Sequence, residues 1–194
     1  MSSFALFRLP YQQQNTLVMQ ISGEPTEVAS CAELTGKTGF VIAPFAASAS
    51  CPVILIRPDM VTHDIPWDLL RDTPDRSGSP VSADARMDYH IDFANFHSHL
   101  ENGDFTKLVL SRSVLITADS PVSPITLYQK ACDSYPRMMI SLVSTPRSGM
   151  RLTATPEILL AGRGKERQTV ARAGTMTFRD AVLWSDKKIQ EQRY

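Results

Sequence analysis

Short apolar runs, separated by polar residues, glycine or proline, dominate the first third of the chain. Runs of this length between turn-forming residues are typical of β-strands. They predict four strands, at residues 4–9, 16–22, 39–45 and 53–57. Residues 58–82 show little periodicity and contain several prolines, so we expect a connecting segment there, with one helical turn at 67–70.

Helical and strand patterns follow one another in the rest of the chain. Residues 83–102 predict a helix, because four apolar residues fall on one of its stripes: Tyr89, Phe93, Phe96 and Leu100. Gly103 can adopt the left-handed conformation that ends such a helix. Pro124 fits the first turn of a second helix, which we expect at 124–134, and further strands are predicted at 105–116, 137–144, 150–154, 158–162 and 168–173. This order of elements indicates an α+β or mixed α/β fold.

Composition and charge argue against several classes of partner. The 194 residues suffice for one domain with a hydrophobic core. Basic and acidic residues both number 20, so the net charge is zero, whereas proteins that bind nucleic acid or acidic membranes normally have a basic surface. The sequence has neither an apolar run long enough to span a bilayer nor a signal-peptide pattern. Its three cysteines fit reduced thiols. We therefore expect a cytoplasmic protein without a nucleic-acid or membrane partner.

Lys107 is the most informative position for chemistry. Within the predicted strand 105–116 it shares a face with Val109, Ser111 and Ser113. If the lysine is buried there, loss of hydration disfavours the charged ammonium, and the neutral amine could act as a general base. The commoner alternative is a lysine near a strand end that reaches solvent, since lysine is seldom fully buried.

Three further segments could contribute to a site. Glu157 follows a proline at a strand end, where its carboxylate could act as a general acid or could simply be a solvated turn residue. Gly174 and Thr175 could bind a carboxylate through backbone N–H groups and a hydroxyl, although most such Ala-Gly-Thr triplets are plain turns. Glu191 could bind Mg²⁺ through carboxylate oxygen, or form a salt bridge with Lys187 one helical turn away.

His97 and His99 invite a metal-site hypothesis. Residues two positions apart do not share a face of a helix, so these two side chains cannot point at one ion from the predicted helix. We expect both histidines at the surface or at an interface.

Four segments together resemble the motifs of the chorismate-utilising enzyme family. FTKLVLSR at 105–112 is similar to the family's K-V-V-L-S-R strand, and TATPEILL at 153–160 to its G-A-S-P-E-L-L segment. RAGT at 172–175 is similar to L-A-G-T, and LWSDKKIQEQ at 183–192 to L-L-x-S-x-K-D-x-x-E-H. The four occur in the family's order, whereas residues 1–82 are strand-rich but less diagnostic.

The resemblance implies a fold, a reaction and roles for the site residues. Family members share a large mixed α/β sandwich, and those with lysine at the position of Lys107 add water to chorismate rather than ammonia. This favours isochorismate synthase, a Mg²⁺-dependent isomerase of menaquinone or siderophore synthesis, with salicylate synthase close behind. By resemblance, Lys107 activates the water that attacks C2, and Glu157 protonates the departing C4 hydroxyl. Gly174 and Thr175 contact the substrate carboxylate, and Glu191 holds Mg²⁺.

The sequence also departs from the family pattern. Arg172 replaces an apolar residue, and Lys188 and Gln192 stand where the last motif has aspartate and histidine. Family members continue well beyond this point, through a second Mg²⁺-binding glutamate. We therefore expect residues 1–194 to be the N-terminal portion of a chorismate-binding domain, with little activity alone, or else a non-catalytic homologue. We also expect self-association through an uncovered sheet.

Overall fold

A computed structural model of the chain describes residues 2–71, 85–111, 113 and 122–170. The chain divides into two units. The sheet unit consists of residues 1–72 and 124–194, and the helix unit consists of residues 73–123. None of the helices in these described ranges combines the length and apolar composition needed to cross a membrane.

The sheet unit contains all of the described strands and two of the described α-helices. In chain order, the strands are β1 (Ser3–Arg8), β2 (Asn15–Gln20), β3 (Thr26–Val28), β4 (Phe40–Ile42), β5 (Val53–Ile56), β6 (Met60–Thr62), β7 (Met139–Thr145), β8 (Gly149–Thr155), β9 (Ile158–Arg163) and β10 (Glu166–Val170). The helices are α1 (Trp67–Arg71) and α3 (Pro124–Ser134), with a 3₁₀ helix at Cys31–Leu34; α2 (Ala85–Glu101) belongs to the helix unit.

A five-stranded antiparallel sheet, in the order β6-β2-β1-β7-β8, forms the centre of the sheet unit. Phe4 and Leu6 of β1 point to one face, and Ala5 points to the other, and all three are buried. Because both faces of this strand are covered, its sequence is a continuous apolar run instead of an alternating one.

Helices cover one face of this sheet, and a second sheet covers the other. Ile125 and Tyr128 of α3, with Leu70 of α1, pack against the face that carries Phe4 and Leu6. On the opposite face, Ile56 of the three-stranded sheet β3-β5-β4 packs against Ala5, Val18 and Val143. The sheet unit is therefore a helix–sheet–sheet sandwich, which agrees with the predicted α+β fold.

Most of the predicted elements are present. The four N-terminal strands correspond to β1, β2, β4 and β5, and α3 has the predicted bounds. The expectation that residues 58–82 are only a connection is wrong at its start, because β6 pairs with β2 there. A strand of three residues is too short to show a pattern, and its pairing depends on a partner about forty positions earlier in the chain.

The helix unit contains α2 and the segment that carries Lys107. The predicted helix is confirmed, and Gly103 follows it with φ +75°, in the left-handed region. The predicted strand 105–116 is wrong over its described residues, 105–111 and 113, which form no strand. Leu108, Val109 and Leu110 are apolar, and Val109 has high β propensity, but a strand also needs a hydrogen-bonded neighbour, and none of the described strands pairs with this segment.

Candidate functional site

Two of the five predicted site residues lie in the described part of the chain. Lys107 belongs to the helix unit, and Glu157 belongs to the sheet unit. Gly174, Thr175 and Glu191 lie outside the described residues, so their predicted roles stay predictions.

Glu157 lies in the two-residue connection between β8 and β9. Pro156 has no N–H group to donate, so the pairing of β8 ends before it and the chain can turn away from the sheet. The backbone N–H of Glu157 donates to the hydroxyl of Thr155 at 3.3 Å, which fixes the start of this turn. The carboxylate is exposed at the end of the sheet, where the register pairs Thr155 with Met139. It can therefore reach a molecule bound beyond that end.

Lys107 is exposed. Burial of its amine among the apolar neighbours of a strand was one of two possibilities, and it does not occur here, because the described segment around Lys107 is not a strand and leaves the side chain in solvent. The alternative of a solvent-reaching lysine agrees with this exposure. An exposed primary amine can meet both water and a soluble substrate.

A buried polar cluster at the same end of the sheet as Glu157 was not predicted from the sequence. Arg8 ends β1 and is only 4% exposed. Its guanidinium donates to the backbone carbonyls of Cys132 at 2.9 Å, Tyr135 at 2.6 Å and Met138 at 3.2 Å. A cation at the C-terminal end of a helix is favourable, because the carbonyls there lack partners within the helix. Arg8 thus joins the end of α3 to the central strand.

Tyr128 extends this cluster. Its ring is fully buried, and its hydroxyl donates to Oδ1 of Asn15 at 2.6 Å. Burial raises the pKa of the Tyr128 hydroxyl, and burial likewise raises the pKa of the Cys132 thiol. Both groups therefore stay protonated near neutral pH. With Arg8 they line a cavity of about 330 Å³, and their contacts give the cluster a structural role in holding α3.

His97 and His99 lie on α2, and their side chains are 49% and 55% exposed, which confirms the predicted surface location. Each pairs with a different carboxylate, His97 with Glu101 and His99 with Asp104. The described ranges contain no group of three or more histidine, cysteine, aspartate or glutamate side chains that could hold a metal ion.

The described units thus define a protein of mixed helices and antiparallel sheets, with an exposed lysine and an exposed carboxylate at the positions that the motifs single out. A family model described as chorismate binding enzyme matches residues 70–191. The match spans more than half of the chain and includes Lys107, Glu157, Gly174, Thr175 and Glu191. The chain therefore belongs to the chorismate binding enzyme family. No curated protein and no solved structure matches it.

Proposed function

We propose that this chain contributes to an isochorismate synthase, which converts chorismate into isochorismate. The observation that carries the proposal is Lys107, which lies in KLVLSR within the matched region 70–191. By the resemblance set out above, a lysine at this position belongs to family members that add water to chorismate. Salicylate synthase, which also begins by adding water, is the alternative.

The reaction needs a base for the incoming water and an acid for the departing hydroxyl. Lys107 in its neutral form takes a proton from water, and the water oxygen bonds to C2 of chorismate. The double bonds shift, the C4–oxygen bond breaks, and Glu157 gives its proton to the departing hydroxyl, which leaves as water. One water enters and one leaves, so substrate and product are isomers.

The exposure of Lys107 bears on how the amine becomes a base. Removal of hydration from a lysine side chain favours its neutral amine. Because the described residues leave the side chain in solvent, we propose that bound substrate displaces this water. Active sites commonly expel water when substrate binds, and this removes hydration from the charged side chains there.

The remaining roles concern substrate binding and Mg²⁺. Gly174 and Thr175 would contact a carboxylate of chorismate through a backbone N–H and a hydroxyl, and Glu191 would provide carboxylate oxygen to Mg²⁺. Mg²⁺, when bound, orients the substrate and neutralises its charge. Since the described residues contain no metal-binding group of three ligands, this proposal rests on the sequence of the matched region.

Several expectations about the chain remain proposals. They are a cytoplasmic location, service in menaquinone or siderophore synthesis, low activity of residues 1–194 alone, and self-association through an uncovered sheet. The last is measurable by light scattering, and a clean monomer would count against it.

Chorismate conversion tests the proposal. The purified product of the complete reading frame that contains this sequence should form isochorismate when Mg²⁺ is present. Chelation of Mg²⁺ should lower the rate by about 100-fold or more, which is the effect of losing several kcal/mol of charge stabilisation. Re-addition of Mg²⁺ should restore the rate.

Chromatography of the products separates the possible outcomes. Isochorismate as the main product supports the proposal, whereas salicylate together with pyruvate supports the alternative. Anthranilate or aminodeoxychorismate as the main product, or a rate unaffected by chelation, would contradict it.

A further inference from the structure

The end of α2 is closed by a specific pair of backbone hydrogen bonds. The N–H of Gly103 donates to the carbonyl of Leu100 at 3.2 Å, and the N–H of Asp104 donates to the carbonyl of His99 at 3.0 Å. Gly103 adopts φ +75° between them. These features form a Schellman motif, in which a left-handed glycine turns the chain sharply out of a helix. The chain therefore leaves α2 in a defined direction, four residues before Lys107.

The side chains of this motif are unusual. In a Schellman motif the residue after the glycine commonly makes an apolar contact with the helical residue five positions before it. Here those two residues are Asp104 and His99, and their side chains form a hydrogen bond, with Nδ1 of His99 2.9 Å from Oδ2 of Asp104. The distance and the two groups describe a charge-assisted hydrogen bond when His99 is protonated. A directional polar contact thus replaces a non-directional apolar one.

Phe105 adds a second contact to the same histidine. Its ring meets the imidazole of His99 edge-on, with 6.1 Å between the ring centroids. Edge-on geometry at this separation is a favourable arrangement of aromatic rings. His99 therefore holds both of the residues that follow Gly103.

Lys107 is only two residues beyond Phe105. Each residue extends the chain by at most about 3.5 Å, so the Cα atom of Lys107 lies within roughly 7 Å of that of Phe105. The described residues 105–111 belong to no described strand, and the contacts of His99 restrain the chain at Asp104 and Phe105, at the start of this segment. A shift of Asp104 or Phe105 passes directly to Lys107.

We propose that His99 and Asp104 are positioning residues for Lys107, forming a clamp that sets the place of the amine through the chain 104–107. The inference rests on the proposed function of Lys107 as the base. Displacement of a reacting group by about 1 Å can lower a rate up to 100-fold. Loss of the clamp should therefore lower kcat, with little change in KM, because the clamp acts on the reacting amine and not on substrate binding.

The test compares three single variants of the product of the complete reading frame, assayed by isochorismate formation. His99→Ala should lower kcat about tenfold to 100-fold and leave KM within about twofold. His99→Asn places an amide N–H near the position of Nδ1, so it should recover most of the lost rate. His97→Ala is the matched control, because His97 lies on the same helix at similar exposure but pairs with Glu101 instead; its rate should be unchanged.

A Lys107→Met background separates positioning from general damage to the fold. If His99 acts through Lys107, adding His99→Ala to Lys107→Met should cause no further loss of the residual rate. If His99 only stabilises the protein, the same relative loss should appear in both backgrounds, and this outcome would overturn the clamp. Full activity of His99→Ala would also overturn it.

Hydrogen exchange keeps the clamp testable by itself. His99→Ala should speed exchange of the Asp104 N–H by about tenfold, while His97→Ala should leave it unchanged. If wild type forms no isochorismate, or Lys107→Met keeps its rate, the proposed function fails; unchanged exchange in His99→Ala overturns the clamp whatever the chemistry.

Discussion

Replacing Lys107 by methionine should lower isochorismate formation by about 10²- to 10⁴-fold, the range that a positioned general base contributes. Methionine keeps much of the length of the side chain and removes the amine, so water is no longer deprotonated as it attacks C2. Because Lys107 is exposed, the substitution should leave the midpoint of urea unfolding nearly unchanged. The loss should appear in kcat, while KM changes little, because the lost interaction operates mainly in the transition state.

Lys165→Met is the matched control for this variant. Lys165 is also exposed, and it lies within the matched region, in the turn between β9 and β10. It should keep the wild-type rate. A Lys107→Met variant that is folded and as active as Lys165→Met would remove Lys107 from the proposed mechanism.

Among the described glycines of the sheet unit, Gly39 should be the one whose replacement by alanine destabilises the protein most. An added Cβ at Gly39 would lie 2.3 Å from the carbonyl oxygen of Ile56 and 2.8 Å from a methyl carbon of Leu55. The backbone oxygen cannot move away without separating β4 from β5, because Phe40 pairs with Ile56. Gly39 also has φ +153°, which side chains rarely adopt. We expect a loss of at least about 3 kcal/mol, a large fraction of the usual 5–15 kcal/mol of domain stability.

Gly36→Ala separates crowding from backbone conformation. Gly36 also has a positive φ, +76°, but an added Cβ there would meet no atom within 4 Å. This variant should lose only about 1 kcal/mol, the conformational cost of placing alanine in the left-handed region. Urea unfolding monitored by intrinsic fluorescence measures both variants. Equal losses would show that the contact with Ile56 does not matter.

The sequence predicts the sheet unit well where burial leaves a pattern. β1 is recognisable because both of its faces are covered, and α3 because Pro124 can occupy a first helical turn. The strand expected at 105–116 shows the limit of such reasoning. Its apolar composition favours a strand, but the pairing that makes a strand depends on other parts of the chain.

For the candidate site, too, the sequence predicts the residues but not their surroundings. The motifs indicate Lys107 and Glu157 by residue type and order, and the family match includes both. Their surroundings were not predictable, because exposure depends on tertiary contacts. Arg8 was missed for the same reason: at the end of a strand it resembles a solvent-facing residue, while its hydrogen-bond partners lie more than 120 positions away in sequence.

Chorismate turnover in ¹⁸O-labelled water, with ammonium present as a competing nucleophile, tests the central claim most directly. Water addition at C2 predicts an isochorismate whose new hydroxyl carries ¹⁸O, detected by mass spectrometry, and predicts that Lys107→Met loses this product. Unlabelled isochorismate, or an aminated product formed in its place, would contradict the account.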